Sequence, residues 1–228
     1  MNYEIIEKGS FSMLQVNLEP GERLKAEYGA MVSMSAALEI TGTADGGVLK
    51  GLGRMLSGES FFFQEIIAER LSGQALLAPK ILGDITAIEL DGSTTLFVQK
   101  DGFLAGTEGI QVNTKMQNLA KGLFSGEGFF IVEISGRGTV FISSFGAIRK
   151  LELTPDQDII VDNGHLVAWP STIQYTIEKA SKGWISSMKS GENLVCRFNG
   201  HGTIYIQSRN PKSFGDWIQR FIPVKSSS

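Results

Sequence analysis

The residues best suited to chemistry are few. The 228-residue chain has one cysteine, Cys196, and two histidines, His165 and His201, all in its last third. The three could be imagined as a metal site, or Cys196 with a histidine as a nucleophile and base. Zinc modules, however, draw closely spaced pairs of ligands from the chain, and no such pair exists here. A reactive thiolate needs an electropositive, partly exposed setting. Cys196 instead sits in the run Leu194-Val195-Cys196, where cysteine acts as a small hydrophobe. Three glutamates, Glu59, Glu127 and Glu192, each end a Ser-Gly-Glu triplet. Acid–base work needs carboxylates in different environments, whereas three copies of one motif would share one environment and serve backbone donors at a turn. The glycines of Gly46-Gly47-Val48-Leu49-Lys50-Gly51-Leu52-Gly53 resemble a phosphate loop but lack the Gly-Lys-Ser/Thr ending. No Gly-x-Ser-x-Gly or His-Glu-x-x-His occurs. These residues predict no catalytic centre, no metal site and no cofactor.

What the triplets do mark is repetition. Ser57, Ser125 and Ser190 stand 68 and 65 residues apart, each followed by an apolar run. Fixed-period self-similarity is a statement about architecture. Strand-like runs Met13–Leu18, Ile85–Leu90 and Ile148–Leu153 open the repeats, and turns at Glu19-Pro20-Gly21, Asp91-Gly92 and Thr154-Pro155-Asp156 follow. Gly29, Gly102 and Gly164 then read as hairpin turns, since Asp-Gly and Asn-Gly favour them. Further glycines, at Ser72-Gly73, Gly136-Arg137-Gly138 and Gly200-His201-Gly202, return the chain into closing strands Gln74–Ala78, Thr139–Ser143 and Thr203–Gln207. The units run 1–82, 83–146 and 147–228, within one body.

Between the third strand and the triplet, each unit carries a segment read as a short amphipathic helix or lid: Thr43–Leu56, Asn113–Phe124 and Ile177–Met188. Basic and large apolar residues interleave there: Lys50, Leu52, Arg54 and Met55; Lys121, Leu123 and Phe124; Lys182, Trp184 and Lys189. These form the candidate interaction surface. A protein partner, a second copy of the chain or an anionic membrane surface would each fit it. Phe214, Trp217, Ile218 and Phe221 fall at helical spacing and predict a closing helix over Pro211–Phe221.

Composition sets the outer bounds. A net charge of −3 argues against an RNA-coating surface. A lone cysteine excludes an intramolecular disulfide and suits a reducing compartment. No apolar run is long enough to span a membrane as a helix, and Met1–Gly9 is neither a signal nor a transit peptide. The expectation is a cytoplasmic protein.

The glycine turns, the three Ser-Gly-Glu-plus-apolar strands, and the joints Ala78-Pro79 and Gly83-Asp84-Ile85 resemble the altered-inheritance-of-mitochondria family over Met1 to about Pro223. The resemblance implies an all-β fold: three tandem β-sandwich units, similar to double-stranded β-helices and to the protomer of the tryptophan RNA-binding attenuation protein. They are set about a pseudo-threefold axis, with short helical lids and a C-terminal helix. The same resemblance implies a scaffold or protein-interaction role near a membrane rather than catalysis. RNA binding by analogy with the attenuation protein, and a small ligand or enzyme site in a cleft between units, are the alternatives.

Overall fold

The computed structural model describes residues 1–43, 63–99, 101–118, 130–179 and 194–222. The described residues form β-strands and one short C-terminal helix, an all-β arrangement. Alternation drives the strands: in Met13–Leu18 the buried Leu14, Val16 and Leu18 alternate with Met13, Gln15 and Asn17. In chain order the strands are β1 Asn2–Ile6, β2 Met13–Leu18, β3 Arg23–Glu27, β4 Met31–Met34, β5 Glu39–Thr43, β6 Phe63–Ile67 and β7 Gly73–Leu77. Next come β8 Ile85–Asp91, β9 Leu96–Gln99, β10 Phe103–Thr107, β11 Ile110–Asn118 and β12 Phe130–Ser143. The last group is β13 Ile148–Leu153, β14 Ile159–Asp162, β15 Leu166–Pro170, β16 Gln174–Lys179, β17 Leu194–Asn199 and β18 Gly202–Gln207, before helix α1, Pro211–Ile218.

A four-stranded sheet runs β1-β2-β7-β4, and a three-stranded sheet runs β14-β17-β16. A long sheet runs β13-β18-β15-β9-β12-β10-β3-β6-β5, to which β8 and β11 add by pairing with β12. Strand β1, which precedes the first strand read from the sequence, pairs with β2 from Asn2↔Asn17 to Ile6↔Met13. Its apolar residues are flanked by charge and its faces are largely exposed, so it carries no alternation to read.

The corners differ from the expected hairpins. Strands on either side of Gly29, Gly102 and Gly164 do not pair with each other. β3 pairs with β6 and β10, while β4 pairs with β7. β9 pairs with β12 and β15, while β10 pairs with β12 and β3. β14 pairs with β17, and β15 with β18 and β9. The chain therefore changes ladder at each corner. Of the three glycines only Gly29 has the positive φ of a left-handed turn, and Asn163-Gly164-His165 is a turn of 3-10 helix capped by the Asp162 carboxylate. Gly136-Arg137-Gly138 does not end a strand either. β12 runs through it, bending at Gly136 (φ 98°). Its first half pairs with β9 and β11 and its second with β8 and β10.

The lids need correcting where they are described. Asn113–Asn118 continues β11, and Ile177–Lys179 ends β16. Periodicity of 3–4 residues over a short apolar run cannot separate helix from strand, and ladder partners on β12 and β17 decide for strand. Residues 44–62, 119–129 and 180–193, which carry the rest of the lids, lie outside the described residues. So do the three Ser-Gly-Glu triplets.

Among the described residues, three buried clusters form the interior. One gathers around Leu14, Val16, Leu24, Ile66 and Leu77, another around Leu96, Val98, Phe103, Val132 and Val140, and a third around Trp169, Cys196, Phe198 and Ile204. In the third, Trp169 meets Phe198 edge-on at 5.5 Å and Tyr175 at 5.1 Å.

The joints between strand groups pack side by side. Ser12 N–H donates to Gly83 O (3.1 Å), Asp84 N–H to Gly146 O (3.0 Å) and Gly146 N–H to Leu82 O (2.9 Å). Ser208 N–H donates to Ala147 O (3.0 Å), and Arg209 N–H to Phe145 O (3.2 Å). Gly83 and Gly146 form a parallel bridge. The approach is so close that a Cβ at position 83 would stand 1.5 Å from the Ser144 carbonyl oxygen. Gly83→Ala is therefore expected to destabilise the protein by about 1–3 kcal/mol as an overpacking change. A lower urea midpoint with an unchanged slope would register it; an unchanged midpoint would show that the joints are loosely packed.

Candidate functional site

The joints end in a groove of about 740 Å³. Its floor and walls come from Phe145 and Gly146 of one joint, Leu82 of a second, Ser10 and Phe11 near the start of the chain, and Ser208–Asn210 with α1 at the end. Sequence explains why α1 starts where it does. Asn210 accepts the Ser213 N–H at 3.2 Å as N-cap, and Pro211 fills the first helical position. Lys212 and Asp216 pair at 3.0 Å one turn apart on the outer face.

The expected apolar stripe of α1 forms, but the body does not cover it. Phe214 meets Phe145 edge-on at 5.1 Å and stacks on Trp217 at 6.0 Å, and Trp217 meets Phe221 at 5.1 Å. Yet Trp217 is 52% exposed and Phe221 68%. Across the groove, Phe11 is 69% exposed and Leu82 57%. Singly exposed apolar residues need no explanation; a cluster of them around a concavity does.

The polar groups in the groove are held by a fixed network. The side-chain amide of Gln207, itself buried, accepts from Phe145 N–H at 2.8 Å and donates to Gly164 O at 2.9 Å. His165 Nδ1 lies 2.8 Å from Gln207 O. That contact orients the imidazole at the groove wall beside Arg209 and Asn210. Beneath, the Ser144 hydroxyl donates to Gly146 O at 2.7 Å and the Ser12 hydroxyl to Asp84 Oδ1 at 2.9 Å. The joints are thus polar but satisfied. What remains open to a ligand is mainly carbon.

The three chemical candidates separate. His165 lines the groove, His201 sits in the exposed Gly200–Gly202 turn, and Cys196 is wholly buried in the third core cluster. Burial, with a smaller contribution from Asp162, pushes the Cys196 thiol up to about 12. Counting from the Ser-Gly-Glu triplets puts Cys196 in the place of Phe63 and Ile131, but the ladders move it by one: Cys196 faces Val161 as Gln64 faces Ala26 and Val132 faces Val98. Among the described residues, no three His, Cys, Asp or Glu side chains come together as metal ligands. The surface expected at Lys50, Leu52, Arg54, Met55, Lys121, Leu123, Phe124, Lys182, Trp184 and Lys189 lies outside the described residues. Phe11, Leu82 and Phe145 gave no sequence signal, because isolated apolar residues in joints follow no period.

The chain matches, over residues 3–209, the family described as mitochondrial biogenesis AIM24. An uncharacterised protein of Streptococcus pyogenes serotype M6 is 33% identical over 235 residues, covering 100% of this chain and 93% of that one. The altered inheritance of mitochondria protein 24 of Yarrowia lipolytica is 28% identical over 168 residues, covering 71% of this chain and 52% of that protein. A Streptococcus pyogenes protein solved by X-ray crystallography as a structural genomics target superposes with a TM-score of 0.79 at 32% identity, over 97% of this chain and 99% of that one. The chain belongs to the AIM24 family. No helix among the described residues is long and apolar enough to cross a membrane.

With its thiol held as the neutral form, Cys196 is expected to react with an aromatic disulfide reagent at pH 8 at least about a hundredfold more slowly than in urea-unfolded protein. Rapid labelling of the folded protein would overturn the inert core assignment.

Proposed function

We propose that this AIM24-family protein is a non-catalytic binding scaffold that seats an apolar segment of a partner protein in the groove between its joints and α1. One observation carries the reading: a concave site of about 740 Å³ rimmed by the exposed Phe11, Leu82, Phe214 and Trp217. Aromatic and aliphatic anchors around a concavity are the usual energetic centre of an interface. His165, Arg209 and Asn210 at its edge would orient the bound chain through hydrogen bonds. A groove favours an extended or helical peptide over a flat lipid surface.

The same proposal takes the body as three β-sandwich units, 1–82, 83–146 and 147–228, related by a pseudo-threefold axis and similar to the attenuation-protein protomer. Its support is the recurrence of one pairing scheme. First and last strands pair in β2·β7, β8·β12 and β13·β18, and the last strand also takes β4, β10 or β15. The remaining three strands pair as β3·β6·β5, β9·β12·β11 and β14·β17·β16. On this reading the joints lie about the axis and the groove opens where the first and last units meet. A single buried thiol is compatible with work in the cytoplasm.

The test is photo-crosslinking in cells from a benzophenone amino acid at position 217, with and without Phe11→Asp. A discrete protein adduct that loses at least about tenfold intensity with Phe11→Asp is the expected result. Adducts only with lipid, or an adduct unaffected by Phe11→Asp, would overturn the proposal. Both positions are exposed, so circular dichroism should match the unaltered protein.

A further inference from the structure

We propose that the partner segment seated in the groove carries an Asp or Glu beside its apolar anchors, held through the side-chain carboxylate by Arg209 and Asn210. The inference rests on the groove being a docking site, and adds the chemistry its occupant must bring. Among the described residues that line the groove, none is Asp or Glu, and Arg209 is the one permanent cation. The chain as a whole has a net charge of −3, so this positive edge runs against its general charge. An apolar concavity with an unopposed guanidinium is complementary to a segment that is apolar and acidic.

Arg209 is held in place without being neutralised. Its backbone N–H donates to Phe145 O at 3.2 Å. A Cβ on Gly146 would stand 2.9 Å from Arg209 Cγ, so the side-chain stem lies over Gly146, a residue of the groove. Among the described residues, no carboxylate pairs with the guanidinium. The acids nearest the lining residues in sequence are engaged elsewhere. Asp84 Oδ1 accepts from the Ser12 hydroxyl and from Ile85 N–H, each at 2.9 Å. Asp162 Oδ1 accepts Gly164 N–H at 2.8 Å, and Asp216 pairs with Lys212 at 3.0 Å. Asn210 gives its carbonyl oxygen to Ser213 N–H, which leaves its Nδ2 donors next to Arg209.

The backbone decides which anion fits. Phosphates and chain-terminal carboxylates are captured by nests of free backbone N–H groups or by helix N-termini. Here those groups are already used. Phe145 N–H donates to Gln207 Oε1 at 2.8 Å, Gly146 N–H to Leu82 O at 2.9 Å and Ala147 N–H to Ser208 Oγ at 2.9 Å. At the start of α1, Pro211 has no N–H, Ser213 N–H donates to Asn210 Oδ1 at 3.2 Å and Phe214 N–H to Asn210 O at 3.1 Å. A phosphate would find one cation and no backbone cradle. What remains is the planar guanidinium fork with an amide beside it, which matches the two oxygens of a side-chain carboxylate. Phe11 and Trp217 then take the apolar neighbours of that acid.

The test selects displayed random peptides on the full chain and discards those that Trp217→Ala also retains, so that only groove-dependent peptides remain. These are expected to combine large apolar residues with at least one Asp or Glu. The tightest binder is then synthesised with an amidated C-terminus, beside a form whose acid is replaced by the corresponding amide. The amide form is expected to bind the unaltered chain at least about tenfold more weakly, and Arg209→Gln within about twofold of the acid form, which isolates the pair. Arg209 is exposed, so Arg209→Gln should fold; if it does not, Arg209→Lys serves, with the loss expected to shrink to about threefold because the fork is gone. Groove-dependent peptides without an acid, an amide form that binds equally, a loss that Arg209→Gln leaves unchanged, or binding that needs a free C-terminus would each overturn this inference and leave the docking site standing. A selection that yields no groove-dependent peptide would overturn the docking site itself, and the inference with it.

Discussion

Backbone hydrogen bonds among the joints are the constraint on which the rest depends. Ser12 to Gly83, Asp84 to Gly146, and Ser208 to Ala147 bind the start of the chain, the two internal joints and the run into α1 into one spine. These segments are short, and their mutual backbone pairing joins the β10·β3 and β15·β9 ladders in fixing the strand groups relative to one another. It also explains the glycines there. A Cβ at position 83 has no room, and Gly146 takes a positive φ of 77°. The groove is a consequence: where the spine ends, Phe145 and Leu82 are left at its mouth and α1 is carried across it.

The second organising feature is that the chain changes ladder at nearly every corner. Many ladders are therefore built from residues distant in sequence, as in Leu14↔Leu77 or Ile85↔Ser143, while β1·β2, β5·β6, β11·β12 and β16·β17 join neighbours. Such pairing closes long loops before it is rewarded by contacts. It also lets a sheet continue from one group of strands to the next, which is how β3 meets β10 and β9 meets β15.

Strand positions were legible in the sequence where one face is buried. Met13–Leu18 and Ile148–Leu153 fall on β2 and β13 to the residue. Which strand pairs with which was not legible. Glycine at 102 or 164 signals a bend, but turn chemistry says nothing about the partner of the strand beyond it. The site was half legible. The stripe Phe214, Trp217, Ile218, Phe221 and the Asn210-Pro211 start both predict α1, whereas its exposure depends on what lies beneath it. Phe11 and Leu82 become notable only through the spine that brings residues some seventy positions apart together. Cys196 shows the opposite balance, since its apolar neighbours alone pointed to the buried, inert thiol that burial explains.

The most direct test of this account is residue-resolved amide hydrogen exchange on the spine. The amides of Asp84, Gly146 and Ser208 would be compared with those of β2 and β18. If the spine holds the strand groups together, these three exchange only with global unfolding, at rates within about tenfold of the core strands. Exchange near that of exposed turns would contradict the account, and would mean that the groups are held by side-chain packing with the joints as mere connections.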